Sequence, residues 1–250
     1  MTRKLLFCIC VAFVAVPASM ASGGGQSSAQ AQCTKLRASM GAQAFAAAYP
    51  SFGACVSKLA PVDQGNTASA QTTCQAQQAD TNFAASHGGK TFDQFYGTGH
   101  NGKNAFGRCV SAAAQASAAA EQSATPNPAR TCRAARTSMG VAAFDQLYGT
   151  NANKSNAFGK CVSKNAQAQT TNEVNAATQC RTDASVTSST EPNAFGKCVA
   201  AKSQSASAQQ EQATANAAKT CEAELKSTGT TAFDAKYKTF GRCVSQHAKA

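Results

Sequence analysis

Large apolar residues are sparse along this chain and recur at fixed offsets. Phe45 and Tyr49, Phe92 and Tyr96, Phe144 and Tyr148, and Phe233 and Tyr237 are pairs spaced by four, so each pair shares one face of a helix. Downstream, F-G-x-C-V recurs at Phe52–Val56, Phe106–Val110, Phe158–Val162, Phe195–Val199 and Phe240–Val244. There Phe precedes Cys by three and Val by four, which is again one helical face. Leu147, three after Phe144, widens the stripe of its segment. Both motifs predict short helices with one apolar side.

The polar positions between them predict where those helices stop. Gly149 to Ser155 is rich in Gly and Asn, residues suited to an αL exit and a turn. Asn104, Asn156 and Asn193 stand where the last helix of their segments should begin, as N-caps. Gly41, Gly140 and Gly229 predict a break between a first helix bearing a cysteine and a second bearing F-x-x-x-Y.

These segments are five copies of one unit, each opening and closing on a cysteine: Cys33 to Cys55, Cys74 to Cys109, Cys132 to Cys161, Cys180 to Cys198, and Cys221 to Cys243. The repeats are bounded as 33–58, 74–113, 132–164, 180–201 and 221–246, after a flexible segment 22–32. The fourth lacks F-x-x-x-Y and is the degenerate copy. Phe and Val are expected to pack on F-x-x-x-Y, with Gly allowing close approach and Cys fastening the fold. Independent units also imply that Phe158→Ala loosens unit three and leaves unit five intact.

Ten cysteines allow on the order of 900 pairings. The repeat favours a link within each unit. Links across the connectors are the rival, with separations of 19 for Cys55 to Cys74 and Cys161 to Cys180, and 23 for the other two. Connectors 161–180 and 198–221 hold neither Pro nor Gly and are rich in helix formers. As continuous helices they would keep their cysteines about 28 to 35 Å apart, too far to bond. Pro61 with Gly65, and Pro126 with Pro128, predict breaks in the first two connectors.

Composition limits what these units can be. Hydrophobic residues make up 43%, about half of it alanine, and beyond the N-terminal region there is neither Ile nor Trp. Leu, Ile, Val and Phe together fall well below the roughly 20% of an ordinary packed core. A unit this small needs a staple, and one disulfide closing such a loop contributes on the order of 3 kcal/mol. The expected class is all-α: tandem, hairpin-like helical repeats, each stapled by a disulfide, joined by Ala/Gln-rich helical or flexible connectors, and extended rather than globular.

Residues 1–21 read as a secretory signal, with Arg3 and Lys4 before an apolar run from Leu5 to Val16 and small residues through Ala21. Cleavage after Ala21 is expected, with Ala18 as the alternative. It removes Cys8 and Cys10 and leaves ten of 12 cysteines in an exported chain, which favours disulfides. No downstream run is long enough to span a membrane.

Candidate chemistry is thin. There is no C-x-x-C pair after the leader and no G-x-S-x-G elbow, and His87, His100 and His247 are scattered. No metal, cofactor or catalytic residue is predicted. Asp93, Asp145 and Asp234 read as solvated helix residues, and the loop histidines as exposed. Removing Arg3 and Lys4 from 23 basic residues leaves 21 against 12 acidic ones, about +9. Arg108, Lys160, Lys197 and Arg242 occupy one motif position, between Gly and Cys, and would form a basic stripe if they line one side. The other reading of these four positions is solubilising charge on exposed helix sites.

The ordered set C, A-F-x-x-x-Y-G and N-A-F-G-K-C-V-S resembles the repeat of an uncharacterised family of small exported bacterial proteins. Cys132 to Ser163 matches best, units one, two and five match with loops of other lengths, and somewhat over half of the mature chain is covered. The resemblance implies export and a cysteine-bearing helical repeat, and brings no substrate or catalytic residue. Three functions follow in order of preference. The first is a structural, adhesive or interaction protein outside the cytoplasm, meeting other surface proteins. The second is a binder of anionic envelope polymers or nucleic acid. The third is an enzyme with its site around His87 and His100.

Overall fold

The computed structural model describes residues 27–98 and 101–249. The expected leader lies outside the described residues. Unit one supplies α1 (Ser28–Met40) and α2 (Ala42–Ala48), then opens α3 (Phe52–Ala79), which carries the first connector. Unit two adds α4 (Phe83–Ser86), α5 (Phe92–Tyr96) and α6 (Ala105–Ala124). Unit three forms α7 (Pro128–Met139), α8 (Val141–Tyr148) and α9 (Ala157–Cys180). Units four and five give α10 (Ala184–Thr187), the long α11 (Ala194–Tyr237) and α12 (Phe240–His247). The all-α expectation holds, with no strand among the described residues.

All five disulfides close within units, joining Cys33–Cys55, Cys74–Cys109, Cys132–Cys161, Cys180–Cys198 and Cys221–Cys243, each with Cα atoms 6.0 Å apart. The unit breaks fall as expected: Gly41, Gly140 and Gly229 take φ of 80°, 84° and 75°. Only glycine enters that region without strain.

The extended arrangement is not what forms. The Cys74–Cys109 bridge turns α6 back along α3, and Cys180–Cys198 turns α11 back along α9. These two hairpins pack side by side, α3 against α9 and α6 against α11, as a four-helix bundle. Their pairing runs in parallel: Ser117 and Gln204 link α6 to α11 through Pro192 O and Ala124 O. The helices approach closely because their facing sides are small. Ala113, Ala118, Ala166, Ala177 and Ala200 are buried. Alanine thus does the packing that the missing leucines would have done.

Pro61 and Gly65 do not break α3. Leu59 and Val62, at 0% and 2% exposure, bury on either side of Pro61, which offsets the roughly 3 kcal/mol that an interior proline costs. The Arg181 guanidinium also donates to Pro61 O. The break at Pro126 and Pro128 is present between α6 and α7. Within the segment expected to be flexible, residues 28–32 are already helical, with Ala29 and Gln32 buried.

Three apolar clusters divide the interior, and two of them cross unit boundaries. Unit one shares a cluster with unit four, including Phe45, Tyr49, Leu59, Phe195 and Val199. Unit three shares one with unit five, including Phe144, Val162, Phe233, Tyr237 and Phe240. Unit two keeps its own, with Phe83, Phe92 and Cys109. Phe158 packs on the cluster shared by units three and five, so the two are not independent. Phe158→Ala is therefore expected to raise amide hydrogen exchange in α12 as well as in α8. Protection unchanged in α12 would restore independent units.

Asn104 and Asn156 sit at N-cap positions without capping their helices. Each carboxamide instead ties back the loop six residues earlier. Asn104 accepts from Thr98 N and donates to Thr98 Oγ1, and Asn156 does the same with Thr150. Asn193 also lacks a side-chain cap. Side-chain capping at the motif occurs in units one and five, through Ser51 and Thr239.

Candidate functional site

The repeat supplies its own internal control for a site. In all four complete units the central Phe and Tyr rings pack with centroids 4.9 to 5.0 Å apart. Burying the ring leaves the hydroxyl needing a partner. Tyr49 donates to Ala166 O and lies near Thr170 Oγ1, Tyr96 donates to Gln77 Oε1, and Tyr237 donates to Glu224 Oε2. The Tyr148 hydroxyl has no hydrogen-bond partner among the described residues.

Tyr148 lines an open cleft of about 430 Å³ bordered by α7, α8, α9, α11 and α12. Met139, Leu147 and Val244 give it apolar walls, while Lys164, Asn165 and Glu211 bring polar groups. The Lys164 ammonium stands 5.8 Å from the centre of the Tyr148 ring. Burial pushes the Tyr148 phenol above its usual value, with Glu211 adding to the rise. Burial also raises the Glu211 carboxyl, against a hydrogen bond from Asn165.

A second polar locus is sealed inside the bundle. Glu121 on α6 and Glu173 on α9 are 2% and 3% exposed. Asn66 Nδ2 donates to Glu121 Oε2 at 3.1 Å, and Gln32 Nε2 donates to Glu173 Oε2. The other oxygen of each carboxyl, together with Asn66 Oδ1 and Gln169 Oε1, has no partner. Burial pushes Glu121 up to about 9, with Glu173 and Asp63 contributing repulsion. Burial likewise takes Glu173 to about 7.

The residues singled out from the sequence divide into two groups. The packing aromatics are brought into the three clusters: Phe45, Phe92, Phe144, Phe195, Phe233 and Phe240 are buried, and Phe52, Phe106 and Phe158 are partly so. Phe45 meets Phe52, and Phe233 meets Phe240, both at 6.3 Å. The four basic positions are not assembled into one stripe. Arg108 and Lys197 begin the parallel helices α6 and α11, whereas Lys160 and Arg242 begin α9 and α12 at the opposite end. Lys197 is paired with Glu191 at 2.7 Å.

His87 is not a loose loop residue. Its ring stacks on Phe83 at 3.7 Å, and Nδ1 lies 2.8 Å from Phe83 O. His100 lies outside the described residues. His247 approaches Tyr237 and Glu224. Among the described residues, Cys221, Cys243 and His247 form the one group close enough to hold a metal. The two sulfurs are bonded to each other, so no thiolate is on offer while that bridge stands.

Sequence reasoning missed Glu121, Glu173, Asn66 and Gln32, and a signal was present. Glu121 and Glu173 both stand twelve after the closing cysteine of their unit, Cys109 and Cys161. Spacings of three and four carried on from those cysteines reach them on the same buried face. The chain matches no protein-family model, no curated protein and no solved structure.

Proposed function

We propose that the chain is exported and works outside the cytoplasm as a non-catalytic, disulfide-stapled interaction protein, structural or adhesive in character. The observation that carries this reading is the set of five bridges, one per unit. Disulfides at this density persist in oxidising compartments and are rare in reducing ones. No described helix is long and apolar enough to cross a membrane, and the N-terminal pattern supports release through a cleaved leader. Each bridge ties the helix that opens a unit to the helix that closes it, so the alanine-rich hairpins are held in register without a large apolar core. The helical exterior is then free to meet a partner. The division of the basic positions between two ends weighs against a continuous anionic-polymer track. The stacked His87 weighs against a site built on the unit-two histidines.

The test is to express the full chain with its own leader, then sequence the N-terminus and map its peptides without reduction. A product beginning at Ser22 with five intra-unit links is expected. A retained Met1 together with free thiols would refute the reading.

A further inference from the structure

We propose that the cleft beside Tyr148 binds a small amphiphilic monoanion, a carboxylate carrying an aromatic or short aliphatic body. The proposal deepens the reading of the chain as an exported interaction protein and rests on it. The argument begins from the repeat. Four tyrosines occupy one position in one motif, and three hydroxyls are consumed by their surroundings: Tyr49 by α9, Tyr96 by Gln77 and Tyr237 by Glu224. Tyr148 keeps the same ring packing, with Phe144 at 4.9 Å, yet its hydroxyl has no protein partner among the described residues. Tyr148 is half-buried and its hydroxyl is not sealed from solvent, so it stands ready to donate to an acceptor placed in the cleft.

The space beside it fits a ligand in size and kind. A volume of about 430 Å³ falls within the roughly 300–1,000 Å³ of small-molecule sites, which pair apolar walls with a few polar groups that fix orientation. Met139, Leu147 and Val244 supply the walls. Tyr148 and Lys164 place a hydroxyl and an ammonium side by side on the lining.

Charge selects the headgroup. Lys164 forms no ion pair with a described residue, and Lys249 on the same lining forms none either. Glu211 is the one carboxyl on that lining, so Lys164 and Lys249 leave it with an excess of positive charge. Two ammonium groups with no ion pair among the described residues, and a phenol donor, match a carboxylate, and the basic chain as a whole draws anions toward it. A cationic amphiphile would face both lysines.

The experiment is isothermal titration of the oxidised full-length mature chain with octanoate and with 4-phenylbutyrate, using 1-octanol and octylammonium as comparators. Saturable one-to-one binding of the carboxylates is expected, with octanol and octylammonium weaker. Tyr148→Phe and Lys164→Gln should each weaken octanoate by about tenfold, the scale of one lost charge-assisted hydrogen bond. Tyr96→Phe should leave it unchanged, because that hydroxyl is spent on Gln77. No carboxylate binding, equal affinity for octylammonium, or wild-type affinity in both cleft variants would each overturn the proposal. A chain that carries its five links and fails to bind would sink the cleft assignment alone, whereas free thiols would sink the reading it rests on.

Discussion

Gly196→Ala is expected to destabilise the protein by about 2 to 3 kcal/mol, while the same change at Gly159, at the same motif position, is neutral or stabilising. The two glycines belong to F-G-K-C-V in units four and three. A Cβ on Gly196 would meet the backbone of Ser117, within 2.6 Å of its carbonyl carbon, whereas one on Gly159 meets nothing within 4 Å. Backbone cannot rotate away as a side chain can, so α6 and α11 would have to separate where alanines hold them close. The gain in helix propensity, up to about 1 kcal/mol, is all that remains at Gly159. Gly65→Ala should also destabilise, because its Cβ would lie 2.7 Å from a ring carbon of Phe195, a side chain that is fully buried and has no room to turn away. Thermal unfolding of the three variants decides the matter. Equal shifts at Gly196 and Gly159 would mean that α6 and α11 do not touch there.

This contrast also marks how far the sequence can be read. Close approach was the expected reason for every motif glycine, and it holds only in unit four, since Gly107, Gly159 and Gly241 face open space. Local features were legible because they depend on neighbours in sequence. The F-x-x-x-Y pairs, the breaks at Gly41, Gly140 and Gly229, and the two uninterrupted connectors all follow from spacing and backbone preference. Pairing within units was favoured by the repeat and left contested by the even connector spacings. The bundle was not legible, because no large side chain marks the faces of α6 and α9 that meet their neighbours. A buried face written as Cys109, Ala113, Ser117 and Glu121 looks, in one dimension, like a solvated one. Pro61 shows the converse: a strong local signal yields when Leu59 and Val62 bury on both sides of it.

Raising the pH from 5 to 8 is expected to lower stability by at least about 3 kcal/mol, or on the order of 10 °C in Tm, without any loss of disulfides. Glu121 and Glu173 titrate near 4.5 when exposed and at about 9 and about 7 in the folded chain. Between those values the folded state holds protons that the unfolded chain has released, so stability falls as pH rises. Their contribution is fully present below pH 4.5, and its loss is complete near 9. This is the reverse of the usual salt-bridged carboxylate. It arises because burial disfavours the charged carboxylate, and the groups facing Glu121 are Glu173, Asp63 and the neutral Asn66 rather than a cation. Protonation also supplies a donor where Glu121 Oε1 and Asn66 Oδ1 are both acceptors without a partner. Glu121→Gln installs a donor of nearly the same shape that cannot ionise. It should therefore raise Tm at pH 8, leave it little changed at pH 4, and flatten the profile, with Glu121→Gln/Glu173→Gln flatter still. Differential scanning calorimetry across pH 4 to 9 reads this directly. A wild-type profile that rises toward neutrality, or one that the double variant does not flatten, would remove the two glutamates from the interior as proton-linked groups.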